Sequence, residues 1–154
     1  MPKGKGKGSA FERRIAKDIV KAFKKKFPWV SQRHCWRSVL SGGHEMSAGD
    51  LEMSPEMERL FPYAVECKFH KKVNWWHFLL PPGSKSFKKT WPEWQWVAQA
   101  CEGARKRKGL KPLLVVHGNR GPILVVRTPR ADETGWWFEL WKDFLKRVVS
   151  EAQG

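Results

Sequence analysis

The stretch Tyr63-Ala64-Val65-Glu66-Cys67-Lys68-Phe69 has the clearest strand pattern in the chain. Side chains of a β-strand alternate between two faces. One face carries the apolar residues, Val65, Cys67 and Phe69. The other carries Glu66 and Lys68, which leave the strand together, roughly 7 Å apart. An acid and a lysine at this spacing are also consistent with a plain ion pair on a sheet. Their meaning therefore depends on the other polar residues that the fold brings near them.

Two further carboxylates are candidates for the same site. Asp50 follows Gly49 at a predicted boundary between a loop and a strand, although a loop aspartate is most often a turn former. Glu12 falls near the centre of the apolar half of a helix predicted from Ser9 to about Lys26, where a carboxylate without a partner is costly. The Ser9-to-Glu12 spacing also predicts a capping box at the start of this helix. The two roles of Glu12 are compatible.

Together these residues are three carboxylates and one lysine, drawn from a helix and two segments of sheet. Hard oxygen ligands of this kind suit Mg²⁺, with Mn²⁺ also possible. A bound cation would polarise a phosphodiester and acidify a water, and Lys68 would orient that water or stabilise the developing charge. The histidines show no ligand spacing such as H-x-x-x-H, and this chemistry does not require one.

The remaining pattern predicts one α/β domain with a mixed sheet flanked by helices. Residues 34–41 predict a strand, 70–90 an irregular segment, and Pro92 to about Lys108 a helix. The apolar runs Leu113–His117 and Ile123–Arg127, joined by a Gly-Asn-Arg-Gly loop, predict a hairpin. A last helix is predicted over about Trp136–Val149. The length of 154 residues fits a single domain. We expect a flexible basic arm over 1–8 and one domain over 9–154, with a core of about 9–127 and an extension of about 128–154.

The net charge of +15 predicts a polyanionic partner, most often nucleic acid. A solvated basic surface without a specific partner is the alternative. Acids are nevertheless concentrated between positions 45 and 66, where a protein that only gripped phosphates would lose affinity. These acids are Glu45, Asp50, Glu52, Glu56, Glu58 and Glu66. A cation held beside the phosphates explains part of this stretch, and a solvated acidic loop explains Glu52, Glu56 and Glu58.

Composition excludes several classes of protein. No apolar run approaches the about 18 residues of a membrane-spanning helix, and the basic N-terminus is not followed by the apolar segment of a signal peptide. The three cysteines have no C-x-x-C spacing, which disfavours a disulfide scaffold and a structural zinc site. We therefore expect a cytoplasmic protein without membrane partners.

In the order and spacing of these short motifs the chain resembles the PD-(D/E)xK nuclease superfamily, whose core is α-β-β-β-α-β. Within it the chain most resembles the archaeal-type Holliday junction resolvases, including phage relatives. The resemblance spans residues 7–118. It is carried by Lys7-Gly8-Ser9-Ala10-Phe11-Glu12-Arg13, Arg37, Ser41-Gly42, Gly49-Asp50 and Glu66-Cys67-Lys68. Gly49 stands where the motif name has proline, and the segment 70–92 and the tail 128–154 depart from the pattern.

The resemblance implies a restriction-endonuclease-like fold and a homodimer that cuts two opposed strands of a four-way DNA junction. It implies Mg²⁺ binding at Glu12, Asp50 and Glu66, with Cys67 also counted among the metal positions, and a role for Lys68 with the attacking water. Ser41 is implied to affect catalysis from a loop near the scissile phosphate. It also implies a location in a bacterial, archaeal or phage-infected cell, at the nucleoid through DNA. The candidate DNA contacts are Lys3, Lys5, Lys7, Arg13, Arg14, Lys17 and Arg37.

Two alternatives stay open at this point. One is another endonuclease of the superfamily, acting on duplex, flapped or nicked DNA. The other is a nucleic-acid-binding protein that keeps the fold without catalysis. Most of the ten tryptophans are expected in the core or at a subunit interface. Stacking on unpaired bases is the alternative for Trp75 or Trp76, which lie in the irregular segment.

Overall fold

The computed structural model describes residues 5–39, 48–79, 85, 88, 90–127 and 137–154. Five α-helices and six strands occur in these residues, with one 3₁₀ turn at Gln32–His34. The helices are α1 (Lys5–Lys24), α2 (Pro55–Leu60), α3 (Trp75–Leu79), α4 (Pro92–Arg105) and α5 (Trp141–Glu151). The strands are β1 (Cys35–Arg37), β2 (Leu51–Met53), β3 (Tyr63–His70), β4 (Lys111–Gly118), β5 (Ile123–Arg127) and β6 (Trp137–Leu140).

The main sheet is mixed and has the strand order β3-β4-β5-β6. Strands β3 and β4 are parallel, since the chain crosses over through α3 and α4 between them, and the other pairs are antiparallel. Strands β1 and β2 form a separate antiparallel pair beside β3. The elements α1, β1, β2, β3, α4 and β4 follow the predicted α-β-β-β-α-β order. The predicted α/β class with a mixed sheet, flanking helices and a C-terminal helix is confirmed.

The main sheet separates two apolar layers, because alternate side chains of each strand point to opposite faces. Val65, Cys67, Leu113 and Val115 pack on the side of α1 and α5. Leu114, Val116 and Val126 pack on the other side, with Phe78 of α3 and Trp96 of α4. Strand β4 is therefore buried on both faces, which explains its continuous apolar run. No helix among the described residues is long and apolar enough to span a membrane.

Three predicted elements have different boundaries in the structure. Helix α1 begins at Lys5, so Ser9 lies within the helix and the predicted capping box at its start is wrong. The strand predicted over 34–41 is the shorter β1, preceded by the 3₁₀ turn, and positions 40 and 41 lie outside the described residues. The segment 70–90 contains the helix α3, which packs through Phe78. Phe78 is buried against Trp96 of α4 and Trp75 packs beside it, which stabilises a short helix that propensity alone would not.

The C-terminal helix predicted over about Trp136–Val149 is confirmed only from Trp141 onward. Residues Trp137–Leu140 form β6, which pairs antiparallel with β5, and the helix begins only at Trp141. The hydrogen bonds offered by the free edge of β5 outweigh the local helical periodicity, and aromatic residues suit strands. The predicted β4–β5 hairpin is confirmed. So is α4, which starts at Pro92 as predicted.

Lys26, the last residue of the helix predicted from the sequence, lies just after α1 and has a specific partner in the fold. Its ammonium group donates hydrogen bonds to the backbone carbonyls of Val149, Ser150 and Ala152, at 3.2, 3.1 and 2.6 Å. The last carbonyls of a helix lack partners within the helix and carry partial negative charge. Lys26 therefore caps the C-terminal end of α5 and joins it to the region just after α1.

Replacing Lys26 by methionine removes this cap while keeping a similar length of side chain. We expect Lys26→Met to lower the free energy of unfolding by about 1 kcal/mol, measured by urea denaturation at neutral pH. Lys25→Met, on an exposed neighbouring position, is the matched control and should stay within about 0.5 kcal/mol of wild type. Equal stability of the two variants would contradict the capping role.

Candidate active site

Strand β3 places Glu66 and Lys68 on one face, as predicted. Lys68 Nζ lies 2.8 Å from Glu66 Oε1, and the two side chains are 21% and 14% exposed. The residue between them, Cys67, points into the opposite apolar layer. The expected alternation of β3 is therefore confirmed. The acid and the lysine form a partly buried ion pair whose surroundings decide its chemistry.

Asp50 is fixed beside this pair by two hydrogen bonds to β3. The Asp50 backbone N–H donates to the carbonyl of Val65 at 2.8 Å. The Cys67 N–H donates to Asp50 Oδ2 at 2.7 Å. The first of these bonds joins the segment before β2 to the edge of β3, and the second orients the carboxylate. Asp50 thus sits at the start of β2, where the sequence predicted it, and its partners flank Glu66 along β3.

Gly49 makes this close approach possible. Its φ is +131°, and a Cβ atom added there would lie 2.5 Å from the carbonyl oxygen of Val65. On the other side, a Cβ on Gly103 of α4 would lie 3.3 Å from the carbonyl oxygen of Ala48. Proline has φ near −65°, so the proline of the motif name does not fit this backbone. The packing of this loop against β3 therefore requires glycine at position 49.

Substitution of Gly49 tests how tightly the loop is held. We expect Gly49→Ala to lower the free energy of unfolding by at least about 2 kcal/mol, because alanine is strained at this φ and its Cβ meets backbone. Thermal or urea unfolding measures the change. Gly8→Ala is the control: its Cβ would meet nothing within 4 Å in α1, so it should gain up to about 1 kcal/mol. A Gly49→Ala protein as stable as wild type would contradict the packing described.

The carboxyl group of Asp50 is electrostatically strained. Burial, followed by the negative charge of Glu66, raises the pKa of Asp50 from 3.8 to about 7. Glu12 adds to this increase, while the hydrogen bond from the Cys67 N–H and the charge of Lys68 oppose it. A buried carboxyl group that resists ionisation beside like charges is typical of catalytic and metal-binding sites.

This shift predicts a pH dependence of stability in buffer that contains a chelator. Between about pH 4 and 7 the folded state keeps the Asp50 proton and the unfolded state has lost it, so the folded state binds more protons. The contribution of Asp50 to stability is full below pH 3.8 and falls as pH rises, by about 1.4 kcal/mol per pH unit, until it is lost above about pH 7.

The measurement is urea denaturation across pH 4–8 of wild type and Asp50→Asn. The asparagine can still accept the Cys67 N–H bond, so we expect the variant to lack this decline and to exceed wild type in stability near pH 8. Glu102→Gln, whose carboxylate is 61% exposed on α4, should follow the wild-type profile. Parallel profiles for wild type and Asp50→Asn would show that the Asp50 carboxyl is not strained.

Glu12 is paired with Arg37. Arg37 Nε on β1 donates a hydrogen bond to Glu12 Oε2 on α1, and the two side chains are 30% and 13% exposed. The predicted alternative, in which Glu12 closes a capping box with Ser9, is thus replaced by an ion pair between two elements. The neighbouring Ser38 is fully buried and its hydroxyl donates to Glu52 at 2.6 Å. Glu52 is therefore engaged in the β1–β2 pair rather than solvated in a loop.

The fit of this site to a divalent cation can be judged from its donor set. Glu12, Asp50 and Glu66 offer the oxygen ligands that Mg²⁺ and Mn²⁺ prefer, and Asp50 feels the charges of both glutamates. Within the described part of the chain, however, no three acidic, histidine or cysteine side chains are close enough to hold an ion. These carboxylate oxygens are of the type that Mg²⁺ and Mn²⁺ bind. One oxygen of Glu12 is paired with Arg37 and one oxygen of Glu66 with Lys68. Binding of an ion by these oxygens therefore requires that they exchange the basic side chain for the cation.

The Cys67 side chain is unsuited to hard-cation binding. Burial, followed by the charges of Asp50 and Glu12, raises the pKa of the Cys67 thiol well above its ordinary value, so it stays a neutral thiol in the apolar layer. A metal contact at position 67 would have to use the backbone carbonyl, and it stays a prediction. All three cysteines are free thiols.

The predicted basic surface is present on α1. Four of the predicted DNA contacts are exposed side chains of this helix, Lys7, Arg13, Arg14 and Lys17. Lys5 is the first residue of the helix. Lys3 and the predicted catalytic Ser41 lie outside the described residues. The assignments of all these residues stay predictions.

One polar cluster was not predicted from the sequence. Glu93 of α4 is 5% exposed, and its carboxylate accepts the Asn74 N–H at 2.9 Å and contacts His77 Nδ1 at 2.8 Å. Burial raises the pKa of Glu93, but the hydrogen bonds from His77 and Asn74 outweigh it and hold the pKa below its ordinary value. The only sequence signal is an acid in the first turn after Pro92, which is common in surface helices and therefore uninformative.

The fold and the site define a class of protein. An α-β-β-β-α-β core with Asp50 bonded to a Glu66-Cys67-Lys68 strand is the arrangement of the PD-(D/E)xK class. Residues 3–135 match the family described as "Phage putative PDDEXK endonuclease", and the chain belongs to this family. The match confirms the predicted PD-(D/E)xK superfamily and supports a phage origin. Comparison with curated proteins gives no match, and comparison with solved structures gives none either.

Proposed function

We propose that this protein is a Mg²⁺-dependent, structure-selective DNA endonuclease that resolves Holliday junctions by paired phosphodiester hydrolysis in a homodimer. The observation that carries the nuclease part is the single electrostatic unit formed by Asp50, Glu66 and Lys68 on one edge of β3. Membership of a PDDEXK endonuclease family supports hydrolysis of DNA. The junction and the homodimer rest on the resemblance described above.

Each residue of the unit has a distinct role in this proposal. Glu12, Asp50 and Glu66 would hold the cation, with Mn²⁺ as the alternative to Mg²⁺. The bound cation would polarise the scissile phosphate and lower the pKa of a water. Lys68 is held by Glu66 at 2.8 Å, and its ammonium orients the attacking water and stabilises negative charge on the phosphorane. Arg37 moves from Glu12 to a DNA phosphate when the substrate arrives, which frees an oxygen of Glu12.

The charge distribution supports DNA as the substrate class. The chain carries a net charge of +15, and the outer face of α1 exposes several basic side chains. Glu12 lies on the same helix and packs toward the site through Arg37. A duplex arm held along this basic face would bring its backbone toward the carboxylates. A cytoplasmic location in a phage-infected cell, and association with the nucleoid through DNA, belong to the same proposal.

A second candidate is another endonuclease of the superfamily that acts on duplex, flapped or nicked DNA. The family match favours it equally, because the family description names no DNA structure. A non-catalytic binding protein is disfavoured, because binding alone does not require a strained buried carboxyl beside an acid–lysine pair. The three candidates differ in what the protein cuts.

Cleavage of end-labelled substrates tests these candidates. Four-way junction, duplex, flap and single-stranded DNA are incubated with Mg²⁺ or with a chelator. We expect Mg²⁺-dependent, symmetric paired nicks near the junction centre. Asp50→Asn and Glu66→Ala should reduce the cleavage rate at least about 100-fold and leave junction affinity within a few-fold in a gel-shift assay.

Glu102→Gln is the matched control, because it removes an exposed carboxylate on α4, and it should cleave at the wild-type rate. Preferential cutting of duplex or flap DNA would replace the resolvase by the second candidate. Wild-type cleavage by Asp50→Asn or Glu66→Ala would remove these residues from the site. No divalent-dependent cleavage of any of these DNAs would favour the binding protein.

A further inference from the structure

A basic cleft lies at the ends of the two parallel strands. Its volume is about 440 Å³, and the segments after β3 and β4 line it. The polar lining residues are Lys71, Lys72, Asn74 and Asn119. No carboxylate occurs among the described residues that line it. Lys71 and Lys72 are exposed and form no ion pair within the described segments. The cleft therefore presents two ammonium groups and the exposed Asn119 to solvent, whereas the Asn74 amide is engaged with His77.

The position of the cleft relates it to the candidate active site. Lys72 follows Lys68 by a few residues, just beyond the end of β3, so their Cα atoms are at most about 14 Å apart. A DNA strand advances about 3.4 Å per nucleotide, so a strand whose phosphate lies at Lys68 reaches the cleft within a few nucleotides. Phe11 packs on Phe69 and His117 at 6.0 and 5.6 Å. The N-terminal part of α1, with its basic face, therefore lies at the same end of the sheet.

An exposed tryptophan stands next to the cleft in sequence. Trp75 lines the cleft beside Gly118, where an added Cβ would make an ordinary van der Waals contact with the Trp75 ring at 3.8 Å. Trp76 is 74% exposed. Single exposed apolar residues are common on protein surfaces, so the position of Trp76 next to a residue that lines the basic cleft is what distinguishes it. Every nucleobase has a flat face on which an indole can stack.

The buried carboxylate of Glu93 holds the segment around Trp76 in place through Asn74 and His77. Glu93 bonds the Asn74 N–H and His77, and His77 stacks on Trp91 at 3.8 Å with an interplanar angle of 5°. Asn74 Oδ1 in turn accepts the Trp76 N–H at 3.2 Å. The backbone on both sides of Trp76 is thus anchored to α4. A ring fixed in this way loses less conformational freedom on binding than one on a mobile loop.

We infer that the cleft and Trp76 form a second DNA-binding site, which takes an unpaired nucleotide a few positions from the scissile phosphate. Lys71 and Lys72 contact backbone phosphate, and Trp76 stacks on the unstacked base. The inference rests on the proposed nuclease function for its placement along the strand. It goes beyond that function because it assigns the recognition of distorted DNA to residues outside the acid–lysine unit.

Binding in chelator tests this site separately from cleavage. Fluorescence anisotropy gives the affinity for four-way junction, duplex and single-stranded DNA over a range of salt concentrations. We expect Trp76→Ala to weaken junction and single-strand binding about 10-fold while leaving duplex binding nearly unchanged. The double variant Lys71→Ala/Lys72→Ala should reduce the slope of log K against log salt by about 1.5.

Matched controls lie at the opposite end of the sheet. Trp29 is 46% exposed and contacts Phe27, after the C-terminal end of α1, and Trp29→Ala should bind all three DNAs like wild type. Lys108→Ala/Lys111→Ala, before and at the start of β4, should keep the wild-type salt slope. All the substituted side chains are exposed, so unfolding midpoints should agree with wild type and exclude a folding defect.

Three outcomes are distinguishable. Loss confined to the cleft variants and to DNA with unpaired bases supports the site. Equal effects of cleft and control variants, or an equal loss of duplex affinity in Trp76→Ala, would overturn it even where Asp50→Asn abolishes cleavage. Selective loss of single-strand binding in a protein that cuts no DNA would keep the site and reject the nuclease function.

Discussion

The pairing of the Gly49–Asp50 segment with β3 is the contact on which the candidate site depends. Two hydrogen bonds, at 2.8 and 2.7 Å, tie Asp50 to both sides of Glu66 along the strand. The left-handed backbone of Gly49 allows the approach, because no Cβ fits against the Val65 carbonyl. The same contact holds the β1–β2 pair beside the main sheet. Since Arg37 lies on β1, the position of the Glu12 partner also follows from it.

Charge balance is the second constraint. Three acids lie close enough to influence each other, and the burial of Asp50 makes its ionisation unfavourable. Arg37 and Lys68 pair with Glu12 and Glu66, while the raised pKa of about 7 lets Asp50 keep its proton below neutral pH. A divalent cation bound by the three carboxylates would itself neutralise their negative charge. The ion pairs with Arg37 and Lys68, and the proton on Asp50, would then no longer be needed to balance it. The repulsion among the three acids that raises the pKa of Asp50 would therefore also favour the binding of a cation.

The two faces of the main sheet are covered by different helices and form two separate apolar clusters. On one side α1 and α5 build the larger apolar core and are joined by the Lys26 cap. On the other side α3 and α4 cover β4 and carry the Glu93 cluster, whose hydrogen bonds fix the turn before Trp76. The segment after β3 is one of the two departures from the family pattern, and hydrogen bonds anchor its described part to α4. Its exposed side chains include Lys71, Lys72 and Trp76, the residues of the second DNA-binding site that we infer.

Local sequence determined the elements whose signal is periodic. The alternation of β3, the β4–β5 hairpin and the Pro92 start of α4 were predictable, and so were Glu66 and Lys68 on one face. Tertiary contacts decided the rest. β6 forms because β5 offers an unpaired edge, Glu12 meets Arg37 from a distant strand, and Gly49 takes its conformation from Val65 and the packing near Gly103. These contacts join residues far apart in the chain, so no local pattern encodes them. Only the tertiary structure decides that Glu12, Asp50 and Glu66 lie close enough to interact electrostatically. It also decides where the basic cleft after β3 and β4 lies.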